Sequence, residues 1–235
     1  MDGQLKTLIE LQAFDTRIAA LEAEATKLPK EIDAVRARTA DAKKTVDVAK
    51  TSLDGARKDT RAKEKDLEDN QVKRQKFEGQ LYQVKTNKEY SAVLTEIEEV
   101  KQQKSRIEEE ILTLMERQER LAGEIKDAEG RLKTAETEGA GAEKTLRERL
   151  AAVEAELGGV KGERAAVARG LPANVLADYD RLLRARAGLA IVPVLKPNLC
   201  GACRMTVTPQ RLQELRAQNA LLACESCGRY LYWQP

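Results

Sequence analysis

The chain has 235 residues, 34% charged and 3% aromatic, with no histidine and a formal net charge of +2. That composition is too charged for one large globular core, and its wealth of Ala, Glu, Lys, Leu and Arg is that of long coiled helices. Eight basic against four acidic residues from Leu171 onward give a tail of +4 and a first 170 residues of −2, which permits a weakly basic module but does not show a strong polyanion clamp.

The opening Met-Asp-Gly-Gln-Leu-Lys carries an acid at once and no apolar stretch, so no secretory signal is expected. From Leu11 the apolar positions advance in alternating steps of three and four, through Phe14, Ile18, Leu21, Ala25 and Leu28 to Val84. Only Thr39, Thr60, Lys63, Asn70 and Arg74 break this seam with polar side chains. A repeat sustained over so many heptads predicts a coiled-coil helix. Pro29 lies inside it, and a kink or break is expected there, because proline removes a backbone donor and crowds the preceding turn.

A second seam runs from Val93 through Ile97, Val100, Ile107, Leu121 and Leu132 to Leu146. Between the two, Thr86-Asn-Lys-Glu89 fits the box in which a Thr caps a new helix and a Glu reaches back to it. Folding the chain about residue 87 sets Leu81 against Val93, Leu67 against Ile107, Leu53 against Leu121 and Leu28 against Leu146. Asn70 then meets Lys104 in a polar layer of the kind that fixes register. Beyond Leu146 the seam stutters through Leu150, Val153, Leu157 and Val160, at the level of Pro29. Two irregularities at one level favour an antiparallel hairpin over a parallel homodimeric rod.

The expected architecture is therefore mostly α. Residues 1–170 form a long antiparallel coiled-coil hairpin with its tip near 85–89 and its kink near Pro29. Gly158, Gly159, Gly162 and Gly170 weaken the end of the second helix. A short linking helix over 171–188 starts at Pro172 and stops at Gly188. Residues 189–235 form a small β domain. Its first strand, Leu189–Leu195, is expected at a sheet edge because Pro193 cannot donate to a ladder. A short strand near Met205–Val207, a helical turn from Thr208-Pro209 through Gln218, and a last strand over Tyr230–Trp233 follow. The seven-residue apolar run Leu189–Leu195 is far too short to span a membrane.

All four cysteines lie in this last domain, as Cys200-Gly-Ala-Cys203 and, after twenty residues, Cys224-Glu-Ser-Cys227. Two such pairs bring four thiolates to one tetrahedral Zn²⁺ in a closed, structural site, with metal supplying much of the folding free energy. Two disulfides, a redox pair and an iron–sulfur centre are the alternatives. A reducing cytoplasm, the expected location, disfavours the disulfides. Bound zinc thiolates would bring the tail nearer +2.

The whole chain resembles a family of bacterial proteins built of a long coiled-coil hairpin and a four-cysteine zinc ribbon. Leu28-Pro29, the segment Lys85-Thr-Asn-Lys-Glu-Tyr90, the two cysteine pairs, Thr208-Pro-Gln210 and the ending Cys-Gly-Arg-Tyr-Leu-Tyr-Trp233 carry the resemblance. It implies a cytoplasmic regulator or adaptor, described in general as nucleic-acid-binding. Some members are linked to the alternative sigma factor sigma-54 and to flagellar gene expression.

Two groups are candidate partner contacts: Lys85, Asn87, Lys88 and Tyr90 at the tip, and Arg204, Arg211, Arg216 and Arg229 on the ribbon. Capping chemistry accounts for Thr86 and Glu89 but not for Tyr90. The ribbon arginines, with its aromatics, suit phosphates and bases, whereas Trp233 is expected to pack. Glu/Lys pairs along the helices read as solvated flanks of the seam. No nucleophile–base constellation and no phosphate-binding glycine loop occurs. The expected function is a non-enzymatic adaptor or regulator with one structural Zn²⁺. It is expected to bind a protein of the transcription machinery, such as a sigma factor, and/or RNA or DNA, with no membrane and no small-molecule substrate. The alternative is a structural scaffold with a zinc-stabilised cap.

Overall fold

The structure is a computed structural model that describes residues 3–217 and 221–233. Two long helices, α1 (Gly3–Leu81) and α2 (Asn87–Ala168), form a hairpin. They are followed by α3 (Ala173–Ala185), β1 (Ile191–Leu195), β2 (Leu199–Cys200), α4 (Pro209–Ala217), β3 (Leu222–Ala223) and β4 (Tyr230–Tyr232). The chain comprises two compact units, Ala34–Ala142 and the combination of Met1–Asp33 with Glu143–Pro235.

In the first of these units every buried apolar residue is a seam position. Val46, Leu53 and Ala56 of α1 and Ile97, Val100, Ile107, Leu121 and Ala128 of α2 are all buried. Leu53 and Leu121 share one cluster with Ala56 and Ile125, the pairing expected from a fold about residue 87. Gly139 faces Val35 and Thr39 so closely that a Cβ there would lie 2.9 Å from the threonine Oγ1. Polar seam positions find partners across or along the hairpin. Gln118 Nε2 donates to buried Thr60 Oγ1 at 2.6 Å, and Lys63 reaches Glu110 at 2.6 Å.

The polar layer at Asn70 differs from expectation. Asn70 is 2% exposed and its Nδ2 donates to Gln103 Oε1 at 3.4 Å, while Lys104 turns out to Glu108 at 3.3 Å. A lysine stem lines the seam while its ammonium stays in water. Asn70 Oδ1 is left buried with no hydrogen-bond partner among the described residues.

At the turn α1 stops at Leu81 and the capping box forms as read. Glu89 N–H donates to Thr86 Oγ1 at 3.3 Å, and Thr86 N–H and Oγ1–H donate to Glu89 Oε2 at 3.1 and 2.8 Å. These bonds hold the Glu89 carboxyl below its ordinary range.

In the second unit α1 is helical through Pro29, so of the kink or break expected there the break does not occur. The N–H that proline lacks costs one helical bond, but Leu28 and Ile32 on either side are buried. Leu28 packs with Leu21, Val153 and Val160. Packing on both flanks also carries α2 through Gly158, Gly159 and Gly162 to Ala168. Leu5, Leu8 and Leu11 of α1 then meet Ala168, Leu171, Tyr179, Leu182, Ala190 and Ile191 in one core. Inside it Tyr179 is fully buried and its hydroxyl donates to Asp15 Oδ2 at 2.8 Å. Arg164 joins Asp15 at 3.1 Å to Asp180 at 2.5 Å.

The four strands order as β2-β1-β4-β3, with β1 parallel to β4 and both outer pairs antiparallel. The first strand is therefore interior, a correction to the edge position expected from Pro193. Pro193 accepts from Gly201 N–H at 2.9 Å, and its missing donor falls on the same side, beyond the two residues of β2. Met205–Val207 is not a strand either; only an isolated bridge joins Thr206 to Leu199. Residue 218, where the helical turn after Pro209 was expected to end, lies outside the described residues. No helix of the described residues is long and apolar enough to cross a membrane.

Candidate metal centre and partner surfaces

The two cysteine pairs are built alike. In the first knuckle Cys200 N–H donates to Met205 O at 2.9 Å and Cys200 O accepts from Arg204 N–H at 3.0 Å. In the second, Cys224 N–H donates to Arg229 O and Cys224 O accepts from Gly228 N–H, both at 2.8 Å. Each knuckle thus turns its two sulfurs the same way around one backbone loop. Gly201 has no room for a side chain, because a Cβ there would lie 2.6 Å from Pro193 O.

The four Sγ atoms lie within 4.8 Å of one another. Cys200 and Cys227 are 3.8 Å apart and Cys203 and Cys224 are 3.7 Å apart. A tetrahedron with Zn–S bonds of about 2.3 Å has edges of about 3.8 Å, whereas a disulfide needs about 2.05 Å. The donor set therefore fits one Zn²⁺ and all four thiols are free. Four protein ligands complete the tetrahedron, so zinc here is structural and supplies the ribbon with the cross-link its small core lacks.

Burial pushes the metal-free Cys200 thiol up to about 12 and raises that of Cys224 as well. Burial opposes ionisation at Cys227 too, yet the Arg229 N–H and guanidinium, with the neighbouring sulfurs, bring it down to about 7. Val192, Val194, Val207, Leu212, Leu215 and Leu231 pack around the cysteines, with Trp233 against them.

Three of the four ribbon arginines are engaged within the fold. Arg211 donates to Ala223 O and pairs with Glu225 at 3.0 Å. Arg216 stacks over the Trp233 ring at 4.4 Å from its centroid. Arg229 donates to Leu189 O at 2.7 Å and Arg186 O at 2.9 Å. Arg204 is different: it is exposed, beside exposed Met205, and its side chain has no partner among the described residues.

At the tip, Lys85, Asn87, Lys88 and Tyr90 are all exposed. Neither lysine ammonium has an ion pair among the described residues. Tyr82, which the sequence reading passed over, is 90% exposed, and Leu94 is 44% exposed. A tyrosine one residue past the last seam leucine was the available signal. Gln12 was also missed; its amide bonds the backbone at Gly188, Ala190 and Ile191. A seam reading assigns it to the solvated flank, and nothing local marks it otherwise.

Comparison with known proteins agrees with this arrangement. Residues 11–188 match the family described as the CT398-like coiled coil hairpin domain, and residues 199–231 match the C4-type zinc ribbon domain. The structure of CT398 from Chlamydia trachomatis is similar at a TM-score of 0.86 and 22% identity, over 98% of each chain. That of the HP0958 protein from Helicobacter pylori gives 0.65 and 18%, over 99% of this chain and 98% of the other. A protein from Mycobacterium smegmatis gives 0.72 and 19%, over 98% and 97%. At these identities the likeness is one of fold. No curated protein sequence matches the chain.

Proposed function

We propose that this chain, which belongs to the CT398-like coiled-coil hairpin family, is a cytoplasmic adaptor without catalytic activity that binds a protein of the transcription machinery, such as a sigma factor, through its hairpin tip. The observation that carries this reading is the unspent chemistry of the turn. Lys85 and Lys88 are exposed without ion pairs among the described residues, beside Tyr82 at 90% exposure and Tyr90 at 45%. Exposed tyrosines flanked by lysines at a helix turn suit a macromolecular contact, since tyrosine is enriched among the residues that dominate interface energetics and the lysines would steer an acidic partner. The capping bonds account for Thr86 and Glu89 and leave these four side chains unused.

Arg204 extends the reading to the ribbon, as its one candidate arginine with an idle guanidinium. RNA or DNA contact rests on that residue, because Arg211, Arg216 and Arg229 are spent inside the fold. The same expenditure favours a second reading of the ribbon, as a zinc-stabilised cap on a structural scaffold.

Crosslinking in cells, followed by identification of both proteins and nucleic acids, tests the proposal. Wild type is compared with a Lys85→Ala, Lys88→Ala, Tyr90→Ala variant and with Arg204→Ala. Loss of a specific protein from the tip variant supports the adaptor. Identical partners for all three chains would contradict it.

A further inference from the structure

Gln12 lies in α1, far in sequence from every cysteine, and it is 8% exposed. All of its amide capacity is used. Oε1 accepts from Ala190 N–H at 2.7 Å and Ile191 N–H at 3.2 Å. Nε2 donates to Gly188 O at 2.7 Å and to Thr16 Oγ1 at 3.3 Å. A single side chain thus fixes three backbone groups at the entry of β1.

That entry is tied directly to the second cysteine knuckle. Tyr230 N–H donates to Ala190 O at 2.9 Å, and the register pairs Ile191 with Tyr230. Arg229, two residues after Cys227, donates its guanidinium to Arg186 O and Leu189 O. Its own carbonyl accepts from Cys224 N–H. From α1 to a metal ligand the path is therefore Gln12, Ala190, Tyr230 and the Cys224–Arg229 loop, with a hydrogen bond or one peptide at every step.

We infer that Gln12 is a positioning residue for the metal centre, and that zinc occupancy and the docking of residues 188–191 onto α1 form one linked equilibrium. The argument is thermodynamic. A four-cysteine ribbon has too little core to hold its strands without metal, so removing zinc loosens β4. Loose β4 withdraws Tyr230 and Arg229 from residues 186–190. Gln12 is then left to hold a strand entry that has no sheet. Linkage is reciprocal, so whatever zinc contributes to the docked state, the docking contacts contribute to zinc affinity. Removing Gln12 also leaves the Ala190 and Ile191 N–H groups and Gly188 O without their partner inside the fold. This inference is independent of any partner and stands on the fit of the four sulfurs to zinc alone.

The test uses the full chain. Zinc affinity is measured by competition with a chromophoric chelator for wild type, Gln12→Ala and Arg17→Ala. Arg17 lies about one turn along α1, and its guanidinium pairs with Glu156. Gln12→Ala weakens zinc binding roughly tenfold or more, about 1.4 kcal/mol, the scale of outer contacts that orient metal ligands. Arg17→Ala leaves it unchanged. A general structural role would lower the unfolding midpoint of zinc-loaded and zinc-free Gln12→Ala equally. A positioning role lowers mainly the loaded form.

Hydrogen exchange on the wild-type chain gives a second arm that does not depend on the variant folding. Chelation of zinc accelerates exchange at the Ala190 and Ile191 amides. A folded Gln12→Ala chain that binds zinc within twofold of wild type overturns the inference. Unchanged protection of those two amides after zinc removal overturns it equally.

Discussion

Arg204 and Gly228 hold the same place in the two cysteine knuckles. Each donates its backbone N–H to the carbonyl of the first cysteine of its pair, and each has a left-handed backbone, with φ of 63° and 75°. Glycine adopts that conformation freely, whereas an L-residue with a Cβ is strained there by about 1–2 kcal/mol. The first knuckle therefore keeps an arginine at a position where glycine fits better. The contact proposed for Arg204 would give that strain a use, since its side chain is exposed.

Arg204→Gly should accordingly raise the stability of the zinc-loaded ribbon by about 1 kcal/mol, read as a higher denaturant midpoint. Gly228→Ala should lower it by a similar amount. A drop in stability for Arg204→Gly would show that its side chain supports the fold.

Asn70→Leu should stabilise the hairpin. It removes a buried carbonyl that has no hydrogen-bond partner among the described residues, a burden of about 1–3 kcal/mol, and places an apolar side chain in the seam. Its second effect is looser register, because a buried polar layer penalises alternative alignments. A higher melting temperature with broadened spin-label distances between positions 53 and 121 is the expected pair of results. A lower melting temperature would mean that the Asn70–Gln103 bond outweighs the orphaned oxygen.

Tyr179 supplies a pH signature. Burial, then its bond to Asp15, raises the phenol well above its ordinary 10.0. Below pH 10 the phenol is protonated in folded and unfolded chains alike, and its contribution is complete. As the pH rises past 10, the unfolded chain ionises first, the folded state binds more protons, and stability falls. Tyr179→Phe should cost about 1–2 kcal/mol at neutral pH. The gap between wild type and Tyr179→Phe should narrow as pH climbs above about 10. Urea unfolding across that range measures it; a constant gap would place the hydroxyl outside the titrating network.

Much of this was readable in the sequence because it is periodic or locally chemical. Heptad spacing placed Leu53 against Leu121, and the capping box needed only Thr86 and Glu89. The cysteine spacing named its metal. What could not be read depends on contacts between distant segments. Pro193 looks like an edge residue until the partner strand is seen to end before its missing donor matters. Three arginines look like free contacts until Ala223, Trp233 and Leu189 arrive beside them. Gln12 and the Asp15–Tyr179–Arg164 group join positions well over a hundred residues apart. No seam pattern distinguishes them from solvated polar flanks.

Chelation should separate the two halves of the architecture. Trp233, the one tryptophan in the chain, packs against the cysteine-bearing cluster, so its fluorescence should change when zinc leaves. Far-ultraviolet ellipticity should fall only slightly, because the long helices rest on their own seam. Loss of most helical signal on chelation would tie the hairpin itself to the metal.

Native mass spectrometry of the purified chain, paired with thiol counting after metal release, addresses the central claim most directly. The account predicts one zinc per chain, with four reduced thiols once the metal is removed and no bound metal in Cys224→Ser. A metal-free chain carrying two disulfides, with its ribbon still folded, would contradict it.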